Sequence, residues 1–109
     1  AGIAEDRITL DPGIGFGKTP AQNLVILHRL GEICALGFPV LVGASRKRFI
    51  GEITGRPPLE RLAGTISAHL MAIANGAAAI RAHDVTAHHD AMRVMHAIRS
   101  QTMPAADQG

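Results

Sequence analysis

Short apolar blocks alternate along the chain with longer stretches whose apolar residues recur at helical spacing. Three blocks are predicted to be strands, at residues 8–10, 40–43 and 78–81. The middle block is apolar throughout, as expected for a parallel strand buried on both faces. Each block precedes a loop and then a stretch with helical periodicity. The pattern therefore predicts three successive strand–loop–helix units, and a parallel sheet with right-handed crossovers.

The first predicted helix begins at a capping box. Thr19 is the expected N-cap, Pro20 occupies the first helical position and Gln22 completes the box. The helix is predicted to end near Gly37, because glycine commonly follows the last helical turn. Its apolar face is predicted to consist of Leu24, Leu27, Leu30 and Cys34.

The second and third units are less regular. A long loop is predicted from residue 44 to about 64, followed by a helix that ends near Gly76. Asp84 is placed to cap the last helix. The buried stripe of that helix is predicted to consist of Ala87, Ala91, Val94, Met95 and Ile98. Residues 1–99 are thus the expected folded segment, and residues 100–109 the expected flexible tail.

Two α/β architectures fit three such units. One is a doubly wound open sheet, and the other is part of an eight-stranded barrel, which needs about 250 residues when complete. The 109 residues could supply three of the eight strands. The chain opens at Ala1 without an initiator methionine, which we interpret as a fragment or a processed product.

Composition mainly excludes function classes. A net charge of +2 and 3% aromatic residues do not resemble the basic, aromatic-rich pattern of nucleic-acid binders. No apolar run approaches the ~20 residues needed to span a membrane, and we expect no secretory leader. The single cysteine, Cys34, cannot form an internal disulfide and fits a reducing compartment. We therefore expect a cytoplasmic protein that binds neither nucleic acid nor membrane.

Polar side chains follow each predicted strand. Asp11 follows the first strand, and Ser45 and Lys47 follow the second. The third ends in Arg81, with His83 two residues later. In parallel α/β folds this edge is where ligands bind, although strand ends are also polar simply because they are solvated. The two basic side chains and a protonated imidazole suit phosphate oxygens. The carboxylate could grip an amino-pyrimidinone edge or pair with the lysine.

The glycine-rich loop at residues 12–18 departs from the nucleotide-binding motifs. Gly17, Lys18 and Thr19 match the end of a phosphate-binding P-loop, but Pro12 stands where the first glycine is required. The dinucleotide pattern fails at Lys18 as well. Because the loop precedes a helix, weak anion binding there stays open.

The remaining histidines do not suggest a metal site. His28, His69 and His96 lie on predicted helices and are expected to be surface or edge residues. His88 and His89 are adjacent, so they should face different sides of a helix and cannot form a chelating i, i+4 pair.

Four motifs together resemble one known family. They are DPGIGFGK at residues 11–18, GASRKRFIG at 43–51, ERLAGT at 60–65 and RAHDV at 81–85. Their order and spacing are similar to the C-terminal part of dihydropteroate synthase, over about residues 2 to 98. The resemblance implies a partial (β/α)8 TIM barrel, in which this chain supplies the three C-terminal strand–helix units.

The resemblance also implies an activity. The family joins 6-hydroxymethyl-7,8-dihydropterin pyrophosphate to p-aminobenzoate and releases pyrophosphate, a step of folate biosynthesis and the target of sulfonamides. By motif, Asp11 would bind the pterin. Lys47 would contact the pterin and lie near the aminobenzoate, and Arg81 and His83 would hold the pyrophosphate. Lys47, Arg81 and His83 are therefore the expected catalytic residues.

Further binding roles follow from the same motifs. Gly15 and Phe16 would contribute to substrate binding, the latter in the aminobenzoate pocket, and Ser45 and Arg48 would help receive the aminobenzoate carboxylate. Arg48 stands where some members have serine, which would replace a hydroxyl contact. The third motif reads Arg-Ala-His where many members have Arg-Val-His. Mg²⁺ is the implied cofactor, with ligands expected mainly outside this segment, so no metal ligand is assigned here.

The family's N-terminal half, which completes the pterin site, has no counterpart in these residues. We therefore expect little or no synthase activity from the 109 residues alone. Full-length relatives imply a homodimer formed through the last helix, at residues 86–99. Two alternatives stay open: a non-catalytic, self-associating half-barrel, and a pterin-binding methyltransferase domain, against which the Ser-Arg-Lys motif argues.

Overall fold

The computed structural model describes residues 13–14, 18–37 and 39–103. Five α-helices and two short strands follow one another in this part of the chain. In order, they are α1 (Pro20–His28), α2 (Leu30–Cys34), β1 (Leu41–Val42), α3 (Arg48–Thr54), a 3₁₀ helix (Pro58–Glu60), α4 (Leu62–Ala74), β2 (Ala79–Ile80) and α5 (Val85–Ser100). No helix in the described ranges is long and apolar enough to cross a membrane.

The two strands form a parallel pair. Leu41 lies opposite Ala79, and Val42 lies opposite Ile80. The backbone N–H of Arg81 donates to the carbonyl of Val42 at 2.9 Å, which aligns the carboxyl ends of both strands. Helix α4 lies between the strands in sequence and packs on β2. The architecture is thus mixed α/β, as predicted, and the first predicted strand, residues 8–10, lies outside the described residues.

The core lies between the strand pair and the helices α1, α3 and α4. Val42 and Leu30 are fully buried at its centre. The other buried apolar residues are Ile14, Leu27, Val40, Ala44, Phe49, Ile50, Ala72 and Ala77. Val40 and Val42 are both buried, so helices cover one side of the strand pair.

The predicted capping box of the first helix is confirmed. Thr19 Oγ1 accepts from the backbone N–H of Gln22 at 3.1 Å, and Gln22 Oε1 accepts from the N–H of Thr19 at 2.9 Å. The prediction of one continuous helix was wrong, because the chain breaks at Arg29 into α1 and α2. The helix resumes just before Gly31, a poor helix former. Leu24, predicted to be buried, is 45% exposed.

The predicted loop at residues 44–64 was also wrong in part. It contains α3 and the 3₁₀ helix. Helix α3 ends at Gly55, whose φ of 75° is the left-handed conformation that closes many helices. With only seven residues, the helix is too short to give a clear periodic signal. Helix α4 ends at Ala74, and Gly76 follows with φ 110°, so the predicted stop is confirmed.

The inward face of the last helix agrees only in part with the one predicted. Ala87, Ala91 and Met95 are half-buried, but Val94 is 61% and Ile98 70% exposed. The helix packs on α4 through the face that carries the buried His88. Asp84 occupies the N-cap position without a side-chain cap bond, because its carboxylate pairs elsewhere. Residues 104–109 of the predicted tail lie outside the described residues.

Candidate functional site

A cleft of about 390 Å³ opens at the carboxyl ends of β1 and β2. Its lining includes Ser45 and Lys47, which follow β1, and Arg81 and His83, which follow β2. Leu41, Gly43 and Ala82 complete it. The structure therefore brings four of the predicted site residues to one place, because neighbouring parallel strands end at the same edge.

The other predicted site residues are placed differently. Asp11, Gly15 and Phe16 lie outside the described residues. Arg48 begins α3, and its Nε donates to Oε1 of Glu52 at 2.9 Å on the exposed face of the helix. It is not among the residues that line the cleft. The binding roles of these four residues stay predictions.

Two of the cleft residues contact each other directly. Ser45 Oγ lies 2.6 Å from Nδ1 of His83, and the backbone N–H of His83 donates to the same oxygen at 3.2 Å. Ser45 is buried and His83 is exposed, so the contact lies at the edge of the cleft. Either the hydroxyl donates to Nδ1 or a proton on Nδ1 is donated to the hydroxyl, according to the tautomer of the ring. In both cases, the serine ties the two loops together.

The β1 loop, residues 44–47, is bent at Arg46. This residue has φ 59°, in the left-handed region that costs a non-glycine residue about 1 kcal/mol or more. Its backbone N–H donates to Thr65 Oγ1 at 3.0 Å, and its carbonyl accepts from Arg61 Nη1 at 3.0 Å. Its own guanidinium pairs with Asp84 at 3.5 Å. Contacts from α4 and from the chain just before it therefore hold the bend between Ser45 and Lys47.

Arg61 is a contributor that we did not assign from sequence. Its Nη1 also lies 3.4 Å from the carbonyl of Lys47, and its Nε donates to the carbonyl of Arg56 at 2.8 Å. The guanidinium lies against Gly51 of α3, where a Cβ atom would overlap it. The glycine leaves room for the guanidinium, but no spacing along the chain predicts this contact.

His69 also escaped the sequence reading, which placed it at the surface or an edge. That expectation was wrong, because its side chain is fully buried. Its Nε2 accepts from the backbone N–H of Ala44 at 2.9 Å, at the start of the β1 loop. Burial, with a smaller effect of the neighbouring His88, lowers the pKa of His69 from 6.5 to about 4. As predicted, His88 and His89 face different sides of the helix, the first buried and the second exposed.

Comparison with known proteins shows similarity over most of the chain. The family model described as "Pterin binding enzyme" matches residues 1–83. Dihydropteroate synthase from Synechocystis sp. is 53% identical over 87 residues, which is 79% of this chain and 30% of that relative. The chain thus spans under a third of this curated relative's length.

Solved structures give the same result. Dihydropteroate synthase from Xanthomonas albilineans in complex with 7,8-dihydropteroate is 50% identical, with a TM-score of 0.88 over 94% of this chain and 39% of that chain. The same enzyme with 4-aminobenzoic acid gives a TM-score of 0.84 at 50% identity, over 90% of this chain and 36% of that chain. The described helices and strands therefore have counterparts in a pterin enzyme.

Proposed function

The chain belongs to the pterin-binding enzyme family, and from this premise we propose that it is the C-terminal part of a dihydropteroate synthase. The observation that carries this proposal is the cleft in which Ser45, Lys47, Arg81 and His83 meet. Similarity to enzymes crystallised with 7,8-dihydropteroate and with 4-aminobenzoic acid supports it. These two compounds are the product of the proposed reaction and one of its substrates.

In the proposed reaction, the amine of p-aminobenzoate attacks the methylene carbon of 6-hydroxymethyl-7,8-dihydropterin pyrophosphate. The new C–N bond forms as the C–O bond to pyrophosphate breaks, and the amine loses a proton to solvent. Negative charge grows on the leaving pyrophosphate, so catalysis depends on cationic donors placed where that charge develops. No nucleophilic side chain is needed.

Two cationic side chains of the cleft suit this task. Arg81 lines the cleft with an exposed side chain, and its planar guanidinium matches two phosphate oxygens at once. Lys47, half-buried in the same lining, adds a compact charge. His83 lines the same cleft, where the contact of its Nδ1 with Ser45 holds the ring. We propose that these groups bind the pyrophosphate, with Lys47 also contacting the pterin.

Magnesium enters only as a further proposal. No group of three or more His, Cys, Asp or Glu side chains that could hold a metal ion occurs within the part of the chain that the structure describes. The steps above are written without a metal ion. Ligands for Mg²⁺ are proposed to come from outside this segment.

The remaining parts of the proposal concern the whole enzyme. We propose that the three strand–helix units complete a barrel of eight together with an N-terminal portion, and that Asp11, Gly15 and Phe16 bind substrate there. A homodimer through α5 is part of the same proposal, and its exposed Val94 and Ile98 are consistent with a covered face.

The test is a synthase assay on the intact protein that carries these residues. Formation of dihydropteroate should require both substrates. Replacing Arg81 or Lys47 with Ala should each lower kcat/KM by about 10- to 150-fold, the equivalent of roughly 1.5–3 kcal/mol for a hydrogen bond to a charged group. Arg29→Ala, at an exposed arginine that pairs with Glu32 on the surface, is the matched control and should leave kcat/KM unchanged.

Two results would contradict the proposal. One is an intact protein that forms no dihydropteroate from the two substrates. The other is unchanged kinetics in both Arg81→Ala and Lys47→Ala, which would remove the cleft from the reaction. For the 109 residues alone we propose no more than traces of activity, because three strands leave the pterin site incomplete.

A further inference from the structure

Behind the cleft, two buried histidine rings form a continuous chain of hydrogen bonds. His69 projects from α4, and His88 projects from α5. Nδ1 of the first lies 2.9 Å from Nε2 of the second, and the ring centroids are 4.9 Å apart. At one end, Ala44 donates its backbone N–H to His69 Nε2 at 2.9 Å. At the other end, His88 Nδ1 lies 2.8 Å from the carbonyl oxygen of Asp84.

The ends of the chain allow only one arrangement of protons. A backbone N–H can only donate, so Nε2 of His69 must accept from Ala44, and its ring proton must sit on Nδ1. That proton is donated to Nε2 of His88, whose own proton must then sit on Nδ1 and be donated to the carbonyl of Asp84. Both rings are therefore neutral, and both carry their proton on Nδ1. A third proton on the pair would place an N–H group against another N–H group, either between the two rings or between His69 and the backbone of Ala44.

The two ends of the chain belong to the two loops of the cleft. Ala44 precedes Ser45 in the β1 loop. Asp84 follows His83 in the β2 loop, which we define as residues 81–84. The histidine pair thus spans the two loops from behind, while the contact between Ser45 and His83 joins them at the cleft itself.

We propose that His69 and His88 are positioning residues, which set the placement of the β1 and β2 loops and hence of the cationic groups in the cleft. The proposal rests on the proposed function in so far as the cleft is taken as the substrate site. Neither ring lines the cleft, so neither is a catalytic residue. Their effect on the reaction passes through Ala44 and Asp84.

Apart from each other, the two rings hydrogen-bond to backbone groups in the described structure. From α5, His69 meets His88, and from the β1 loop it meets the uncharged amide of Ala44. At the far end, the carboxylate of Asp84 is engaged by Arg46, and it is the backbone carbonyl that faces the ring. Burial lowers the pKa of His69 to about 4, so the ring stays neutral near pH 7, as the chain requires.

The experiment uses the intact protein and compares leucine with glutamine at each position. His69→Leu removes the acceptor for a buried N–H and should lower kcat/KM roughly tenfold or more. His69→Gln places an amide oxygen near the position of Nε2, cannot titrate, and should recover most of that loss. His88→Leu should resemble His69→Leu, and the double leucine variant should be no worse than the poorer single one. His28→Leu, at an exposed histidine of α1, is the control and should change kcat/KM by less than about twofold.

Histidine ring NMR spectra of the unsubstituted protein provide a second readout, which does not depend on a variant that folds. Both rings should show the neutral tautomer with the proton on Nδ1. A proton on Nε2 of either ring would overturn the proposal. So would a folded His69→Leu with normal kcat/KM, or leucine and glutamine variants that are equally impaired.

The failure of the proposed function would look different. It would appear as an unsubstituted protein with no synthase activity. In that case, the backbone amide shifts of Ser45, Lys47 and His83 decide the positioning role. They should move in His69→Leu and stay near their normal values in His69→Gln, and unchanged shifts in both variants would overturn the proposal.

Discussion

The two loops of the cleft are held in different ways. The β1 loop is fixed by α4 and the residues just before it: His69 on Ala44, Thr65 on the N–H of Arg46, and Arg61 on its carbonyl. In the described structure, the β2 loop is held mainly by β1 and the β1 loop. Arg81 bonds to Val42, His83 to Ser45 and Asp84 to Arg46, and His88 adds a contact to the carbonyl of Asp84.

The difference indicates an order of dependence. The β1 loop is built on α4 and on the residues just before it, and the β2 loop is fitted onto the β1 loop. Changes in the groups behind the β1 loop should therefore disturb all four cleft residues. Changes within the β2 loop should stay local, since its other contacts to the β1 loop remain.

The largest expected effect is a loss of stability between pH 6.5 and 4, where His69 takes up a proton in the unfolded chain before it does so in the folded one. Its pKa is about 4 in the folded chain and 6.5 when exposed, so between these values the unfolded state binds more protons. The contribution is complete above pH 6.5 and is lost as the pH falls towards 4. It amounts to about 3 kcal/mol from the size of the shift.

The measurement is urea unfolding of the intact protein and of His69→Gln between pH 4 and 7.5. Carboxylates titrate equally in both proteins, so the difference between their free energies of unfolding isolates the histidine. That difference should change by about 3 kcal/mol across the range in favour of His69 at high pH. Parallel curves would show that the β1 loop does not depend on a neutral ring.

The next largest effect is expected at Arg61. Arg61→Ala removes the donors to the carbonyls of Arg46 and Lys47 and should lower kcat/KM about 30-fold, or roughly 2 kcal/mol. Gly51→Ala should act in the same direction, because its Cβ would displace the guanidinium from those carbonyls. Arg56→Ala is the control, since that side chain forms only an exposed ion pair with Glu60 at 3.6 Å. A normal kcat/KM in both test variants would contradict the order of dependence.

The smallest effect is expected in the β2 loop, for the substitution Asp84→Asn. The pair with Arg46 is long, at 3.5 Å, and its side chains are 30% and 31% exposed. Exposed pairs of this kind contribute less than about 1 kcal/mol, so kcat/KM should fall no more than about threefold. The contact between Ser45 and His83 still joins the loops. A loss as large as that of Arg61→Ala would show that the β2 loop supports the β1 loop instead.

The grouping of the cleft residues could be predicted because it follows from strand direction. Ser45, Lys47, Arg81 and His83 each come soon after a buried block, and parallel strands place such positions at one edge. The capping box at Thr19 is a local pattern with a local structure, so it too was predictable. In both cases the sequence spacing itself carries the geometry.

The contacts behind the cleft could not be predicted in this way. Arg61 lies in the stretch predicted to be a loop and His69 in a predicted helix, and polar residues in both are usually exposed. What buries His69 is the meeting of α4 with α5 and the β1 loop, which no spacing along the chain reveals. The outward face of α5 was mistaken for the same reason: Val94 and Ile98 repeat at helical spacing, but α4 packs on the face of His88.

The directional pairing of the two buried histidines bears on how this segment can be recombined with related sequences. Each ring accepts on one nitrogen and donates on the other, so a replacement at one position demands a complementary partner at the other. The effects of substitutions at the two positions are therefore expected to depend on each other. A chimera that takes α4 from one parent and α5 from another would pair a histidine with a side chain selected for a different neighbour. Crossover points between residues 69 and 88 should therefore be the least tolerated in this chain.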